Sequence, residues 1–319
     1  MGRVIGDDVK LAMVFPGQGS QSVGMLKAYA GLPGTEELRH EVQEILGQDF
    51  LKLLDDGPAG QLNLTTNTQP AMVAAAISAY RAWQGLGGPA PAVVAGHSLG
   101  EYSALVASGV LSFKDALPLV KYRAQSMQEA VPEGTGAMAA ILGLDEDAAR
   151  AACAEAAQGE VVQAVNFNAP GQVVIAGHKA AVARAIEACK ARGAKRAMPL
   201  PVSAPFHSSL MQPAAEKLKE YLGNVGFGVS SIPVVNNVDV KTETDPGKIK
   251  DALVRQAASP VRWVEIVRAM AGQGVTHIVE CGPGKVLAGL VKRIDPKLAG
   301  IAAADRASLE AALAAVKGA

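Results

Sequence analysis

Cysteine is scarce in this chain, and neither sign of charge is in surplus. Only Cys153, Cys189 and Cys281 occur among 319 residues. The number is odd, with no C-x-x-C spacing and no histidine pattern nearby, which argues against a disulfide framework or a zinc site. Lysine plus arginine total 30, as do aspartate plus glutamate, so no global field draws the molecule to nucleic acid or an anionic membrane, and charge-based recognition has to be local. The first ten residues carry no apolar signal core, and no apolar run approaches the ~20 residues of a membrane span. These absences lead to the expectation of a soluble cytoplasmic protein, long enough to bury a full core without metals or disulfides.

What is present is an alternation of short apolar runs with helical patterns, which predicts an α/β protein with a mostly parallel sheet. Leu11 to Phe15 and Ala92 to Ala95 read as buried strands, and Gln69 to Trp83 as a packed helix. Between about Gly134 and Leu200 the texture changes. Strand Ala137 to Leu142, helix Asp145 to Ala157, strands Val161 to Asn166 and Gln172 to Ala176, helix Ala180 to Ala191 and strand Arg196 to Leu200 make a β-α-β-β-α-β order, the ferredoxin-like arrangement. The first pattern then resumes with strand Ile232 to Asn236, helix Val261 to Gln273, strand His277 to Cys281 and helix Lys285 to Arg293. The expected division is a large subdomain over 1–130 and 202–319, interrupted by a small one over 131–201.

Gly96-His97-Ser98-Leu99-Gly100 has the G-x-S-x-G form of a nucleophile elbow, and it stands between a strand and the helical stretch Glu101 to Ser108. A serine nucleophile needs a base, and the five histidines are His40, His97, His178, His207 and His277. His97 adjoins the serine on a tight turn and should point away; His40 and His178 have polar surroundings, and His277 opens an apolar strand. His207 lies in the irregular stretch Val202 to Ser208, the kind of loop that carries catalytic groups. Elimination ranks it first and goes no further. Arg123, taken alone, reads as a helix-surface cation. Gly17-Gln18-Gly19-Ser20-Gln21-Ser22 imitates a dinucleotide fingerprint but has Ser22 at the third glycine, and Gly282-Pro283-Gly284-Lys285-Val286 shares only Gly-Lys with a phosphate loop.

Four ordered blocks carry a resemblance: Phe15-Pro16-Gly17-Gln18-Gly19-Ser20-Gln21, Gly96 to Glu101, Phe206-His207, and Val279-Glu280-Cys281-Gly282-Pro283-Gly284-Lys285. With Asn166 to Gln172 in the small module, they resemble the malonyl-CoA:acyl-carrier-protein transacylases of bacterial type II fatty acid synthesis, from about Leu11 to Arg293. The resemblance implies an α/β-hydrolase-like large subdomain with a ferredoxin-like insert. It implies that Ser98 becomes malonylated, that His207 is its general base and later acid, and that the backbone N–H groups of Gln18 and Leu99 form the oxyanion hole. Gln256 corresponds to the residue whose backbone carbonyl orients the histidine in place of a triad carboxylate. Arg123 matches the arginine that pairs with the malonyl carboxylate. Phe206 looks like the malonyl-selecting version of its loop, and Asn166 falls near the active site, where a turn-capping amide at a strand end is an equal reading. The substrates implied are malonyl-CoA and holo acyl carrier protein, with no metal and no bound cofactor, acting on a monomer. The rivals are a free-standing polyketide-synthase acyltransferase, a methylmalonyl-preferring enzyme, and a Ser-His thioester hydrolase. Lys190, Arg192, Lys195 and Arg196, with Lys285, Lys292 and Arg293, are candidate basic rims for an acidic carrier protein.

Overall fold

The run Leu11–Phe15 forms strand β1, and all five of its residues are buried. Leu11, Met13 and Phe15 face one apolar cluster and Ala12 and Val14 the other, the period-2 pattern of a strand covered on both faces. The computed structural model describes residues 9–202 and 204–318; residues 1–8, most of the stretch in which no signal core was read, and Ser203 lie outside the described residues. The other strands are β2 (Val93–Gly96), β3 (Gly136–Leu142), β4 (Val162–Ala169), β5 (Gln172–His178), β6 (Arg196–Pro199), β7 (Val234–Val235), β8 (His277–Cys281) and β9 (Ala299–Ala303). Before the small sheet come α1 (Thr35–Leu46), α2 (Gln48–Asp56), α3 (Ala59–Leu62), α4 (Thr65–Gly85), α5 (Gly100–Ala107) and α6 (Phe113–Glu129). Then follow α7 (Glu146–Ala157), α8 (Lys179–Ala191), α9 (Gln212–Gly223), α10 (Pro246–Ala257), α11 (Trp263–Gly272), α12 (Val286–Ile294) and α13 (Arg306–Lys317).

The class is α/β, as the alternation predicts. A five-stranded parallel sheet runs β7-β2-β1-β8-β9, and a separate four-stranded antiparallel sheet runs β4-β5-β3-β6. The second sheet with α7 and α8 is the ferredoxin-like unit. Its helices cover one face through Ile141, Ile175, Val182 and Cys189. The opposite face, with Met138, Val165, Val174 and Ala176, has no helix of its own and packs on Leu200, Val202 and Phe206. Backbone bonds Phe167 N to Val261 O (3.0 Å) and Val261 N to Val165 O (2.8 Å) tie this sheet to the entry of α11.

Several boundaries differ from the sequence reading, each for a local reason. The strand expected over Ile232 to Asn236 shortens to Val234–Val235, because Asn236 N turns back to Lys241 O (3.0 Å). The helix expected from Val261 starts at Trp263, since both polar backbone atoms of Val261 are engaged by β4. Asp145 is the cap of α7 rather than its first residue, its side chain accepting from Ala148 N (2.8 Å). Helix α4 begins four residues before Gln69 and continues through Pro70. No described helix is long and apolar enough to cross a membrane.

A Cβ on Gly100 would lie 2.0 Å from Phe15 O, and one on Gly96 would lie 1.8 Å from the carbonyl carbon of Gly100. The strand-turn-helix corner therefore closes only with glycine at both places. Gly289, exposed inside α12, has nothing within 4 Å of its Cβ position. We expect Gly100→Ala to destabilise the protein by more than about 3 kcal/mol, as overpacking against backbone does. Gly289→Ala should stabilise it by about 0.5–1 kcal/mol. Chemical denaturation of both variants checks the pair, and equal midpoints would contradict it.

Candidate active site

The cavity that holds the elbow serine opens where strands of the parallel sheet end at their carboxyl edge, the usual place for a site in an open α/β sheet. β1 runs into Gln18, β2 into Ser98 and β7 toward Asn237. Ser98 holds φ 52°, a left-handed conformation that non-glycine residues rarely adopt. Its N–H donates to Asn237 Oδ1 (2.8 Å), and its carbonyl accepts from Gln256 Nε2 (2.9 Å).

His207, on the loop after β6, also holds positive φ (63°) and is 4% exposed. Its Nε2 lies 2.6 Å from Ser98 Oγ and its Nδ1 2.9 Å from the carbonyl oxygen of Gln256. A carbonyl only accepts, so Nδ1 carries the hydrogen and Nε2 is left to accept from the serine hydroxyl. Burial, and after it the positive charge of Arg123, pushes the imidazole pKa down to about 3. It is therefore a neutral base at physiological pH, oriented by a neutral acceptor.

Arg123 is not the surface cation that helix context alone suggests. It projects from α6 into the protein and is 1% exposed. Nη1 donates to Gln69 Oε1 (2.9 Å), and Nη2 donates to Gln256 Oε1 (2.8 Å) and to Ser98 Oγ (3.3 Å). Its Nε has no partner among the described residues, nor does any described carboxylate form an ion pair with it. Burial lowers its pKa below the usual arginine range, and the guanidinium is held by neutral partners.

Since Ser98 N–H is engaged by Asn237, it is not free to hold an oxyanion. The amides of Gln18 and Leu99 donate to no acceptor among the described residues. A Cβ on Gly17 would sit 2.7 Å from His97 O, so the missing side chain lets the Gln18 turn approach the elbow. The cavity, of about 150 Å³, is lined by Gln18, Ser98, Leu99, Arg123, Asn166, Phe206 and His207, with Met127, Met138 and Val174 as apolar wall. A groove past Gln18, Asn166, Asn168 and Gln172 to Val286 and Leu290 adjoins it.

All eight sequence candidates lie in or against this cavity, but Asn166 sits differently from its turn-capping reading. Asn166 does not cap a turn at a strand end; it lies inside β4 at a register irregularity, with its Oδ1 unpartnered among the described residues. Gln256, whose carbonyl meets His207 Nδ1, is wholly buried behind the cavity, its side chain touching Ser98, Glu101 and Arg123 rather than lining it. His97, expected to point away from the serine, instead lines both this cavity and the adjoining groove, its Nε2 2.7 Å from Asn168 Oδ1 and its ring 5.4 Å from that of Trp263. Among the basic candidates, Lys190 and Arg192 pair with Glu187 and Glu155, and Arg293 hydrogen-bonds Gln172 across the groove. Asn237, Gln69 and the carboxylate of Glu101 escaped the sequence reading. The one available signal was that Asn237 follows closely on a strand end and Glu101 closes the elbow block. No group of three or more His, Cys, Asp or Glu placed to hold a metal occurs among the described residues.

Comparison with known proteins adds an independent line. A family model described as an acyl transferase domain matches residues 12–305. The chain is 58% identical over 305 residues to the malonyl CoA-acyl carrier protein transacylase of Escherichia coli, covering 95% of this chain and 99% of that one. A crystal structure of the acyl-carrier-protein S-malonyltransferase from Burkholderia pseudomallei superposes with TM-score 0.94 at 64% identity, over 96% of this chain and 99% of the other. A malonyl-transacylase solved with its type II polyketide acyl-carrier protein superposes with TM-score 0.93 at 55% identity, over 95% and 99%.

The depressed imidazole gives a pH signature. In the folded state His207 stays neutral down to about 3, whereas an unfolded chain takes up that proton near 6.5. Its stabilising contribution is thus complete above 6.5 and is lost as pH falls toward 3. An imidazole of ordinary pKa would be only about 3% neutral at pH 5. We expect the rate of Ser98 modification by a small neutral fluorophosphonate to hold from pH 8 to 5. A falling limb near 7 would point instead to Glu101, whose pKa burial raises to about 7.

Proposed function

This chain belongs to the acyl transferase domain family, and we propose that it moves a malonyl group from coenzyme A to the phosphopantetheine thiol of an acyl carrier protein through an ester on Ser98. The observation that carries this reading is the buried Arg123 guanidinium, 3.3 Å from the Ser98 hydroxyl and without a carboxylate ion-paired to it among the described residues. A cation kept in a closed pocket with neutral partners awaits an anion, and a planar guanidinium suits a carboxylate. Malonyl differs from acetyl by that group.

In this mechanism His207 Nε2 takes the hydroxyl proton as Ser98 Oγ attacks the thioester carbonyl, and the amides of Gln18 and Leu99 receive the oxyanion. Collapse of the tetrahedral intermediate breaks the carbon–sulfur bond. The departing coenzyme A thiolate takes the proton from His207. In the second half the pantetheine thiol gives its proton to His207, attacks the ester, and Ser98 leaves with that proton, a ping-pong cycle. Because Arg123 helps keep His207 unprotonated, a malonyl carboxylate on the guanidinium offsets that charge and raises the basicity of the imidazole when the proton must move.

The small subdomain, which we assign to residues 131–201, supplies one wall of the cavity. Phe206 narrows the site against an α-methyl branch, and Asn166 offers its free oxygen to the incoming chain. We assign the reaction to a cytoplasmic monomer that supplies malonyl carrier protein for fatty acid synthesis, with no bound cofactor. A polyketide carrier protein is the second reading, favoured by the 55% identical transacylase solved with one.

Intact mass after mixing with malonyl-CoA and then holo carrier protein tests the cycle. A malonyl adduct should form, vanish on addition of carrier protein, and be absent from Ser98→Ala; release of malonate to water without carrier would make the protein a hydrolase. Arg123→Ala leaves the malonyl charge without a partner, a loss of about 3–5 kcal/mol for a broken buried pair. Malonyl-CoA kcat/KM should then fall by about two to four orders of magnitude, while acetyl transfer falls little, and Arg123→Lys should recover part. Parallel losses for both acyl groups would remove Arg123 from carboxylate binding.

A further inference from the structure

We infer that Glu101 and Asn237 form a clamp, centred on one carboxylate oxygen, that holds Ser98 in its left-handed conformation with the hydroxyl aimed at His207. The inference rests on the reading of Ser98 as the nucleophile. Ser98 has two backbone polar atoms, and partners far along the chain hold both: Asn237 Oδ1 takes the N–H (2.8 Å), and Gln256 Nε2 binds the carbonyl (2.9 Å). Asn237 also donates from Nδ2 to Gly96 O (2.7 Å), so one amide spans the elbow from both sides of its bend. Both gripping residues converge on Glu101 Oε2, which accepts from Asn237 N (3.1 Å) and from Gln256 Nε2 (2.8 Å).

The arrangement has a chemical reason. Arg123 only donates, so Gln256 must turn Oε1 toward it, which leaves Nε2 facing Glu101 Oε2 as the acceptor. Gln256 in turn presents its backbone carbonyl to His207 Nδ1. One buried oxygen thus sets the nucleophile's backbone through two side chains and, through one of them, braces the residue that orients the base. Glu101, Asn237 and Gln256 are 2%, 0% and 0% exposed, and a carboxylate buried without an ion pair is a poor device for stability alone. Neither Glu101 nor Asn237 lines the cavity; they are positioning residues acting through Ser98 and Gln256.

The test uses the full-length protein and the variants Glu101→Ala, Glu101→Gln and Asn237→Ala, with folding verified by circular dichroism and melting. Two rates are measured: Ser98 labelling by a fluorophosphonate, and adduct formation from malonyl-CoA over a range of concentrations. A nucleophile displaced by about 1 Å loses on the order of 100-fold in rate, so both alanine variants should lose about that in maximal rate with either reagent. The KM for malonyl-CoA should move less than about threefold for Asn237→Ala, which leaves the groups around Arg123 in place. Glu101→Gln, which still offers an oxygen to both donors, should return to within about fivefold of wild type. Folded alanine variants within about twofold of wild type, a loss confined to KM, or a Gln variant as slow as the Ala variant would each overturn the clamp. If Glu101→Ala does not fold, Glu101→Asp, whose acceptor is withdrawn by one methylene, is read by the same criteria. A wild type labelled by neither reagent would overturn the serine reading and the clamp with it, whereas a labelled wild type with unaffected variants overturns the clamp alone.

Discussion

The hydrogen bond between Ser98 Oγ and His207 Nε2, 2.6 Å long, joins two residues that both occupy left-handed backbone conformations. Such conformations persist only where the surroundings over-determine them, and each costs about 1–3 kcal/mol. The over-determination here has separate sources. On the serine side it is steric, because Gly96 and Gly100 allow helix α5 to press onto the ends of β1 and β2 with no room for a methyl group. On the histidine side it is a loop braced by Ser208 Oγ to Pro205 O (2.7 Å) and by Ser209 N to Gln163 Oε1 (2.8 Å), with Phe206 seated between two apolar clusters. The dyad is a meeting of two strained turns held from opposite directions.

A dyad without a carboxylate behind the histidine has to manage charge differently. The Gln256 carbonyl fixes the tautomer but gives an imidazolium little stabilisation, and the nearby Arg123 cation opposes protonation outright. The resting site is therefore biased toward neutral histidine and unionised serine. Arg123 is itself tolerable in the interior because Gln69 and Gln256 accept from it, while the Tyr102 ring lies 5.4 Å from its Cζ. The acidic side chain of Glu101 is joined to it through the Gln256 amide rather than by direct contact. The guanidinium can then exchange partners with a ligand carboxylate without breaking an internal salt bridge.

How much of this was legible in the sequence depends on how local the cause is. The parallel sheet, the ferredoxin-like unit and the elbow follow from periodicity and from glycines two residues either side of a serine, all within windows of a few residues. The strand at Val234–Val235 was drawn too long because a polar turn at Asn236 left no mark on the apolar pattern. Arg123 could not be told from a surface arginine by spacing; only the packing of α6 against α4 decides that it points inward. Asn237 and Gln256 stand 139 and 158 residues beyond Ser98. An asparagine or glutamine that bonds a distant backbone has the same local signature as one exposed to water.

The cavity itself has a cause larger than any of these residues. The antiparallel sheet covers one face with α7 and α8 and leaves the other to be buried by whatever it meets. An uncovered apolar face has to find a partner, and here it meets the carboxyl edge of the parallel sheet across the loops bearing Phe206 and His207. That edge cannot be filled with apolar side chains, because it consists of turns whose amides must stay unpaired to be useful. The two requirements leave an apolar wall of Met138 and Val174 facing a polar floor of Gln18, Ser98 and Leu99. Such a cavity expels water around the acyl group while keeping donors aimed at one point, and this makes each fixed dipole count for more than it would in solvent.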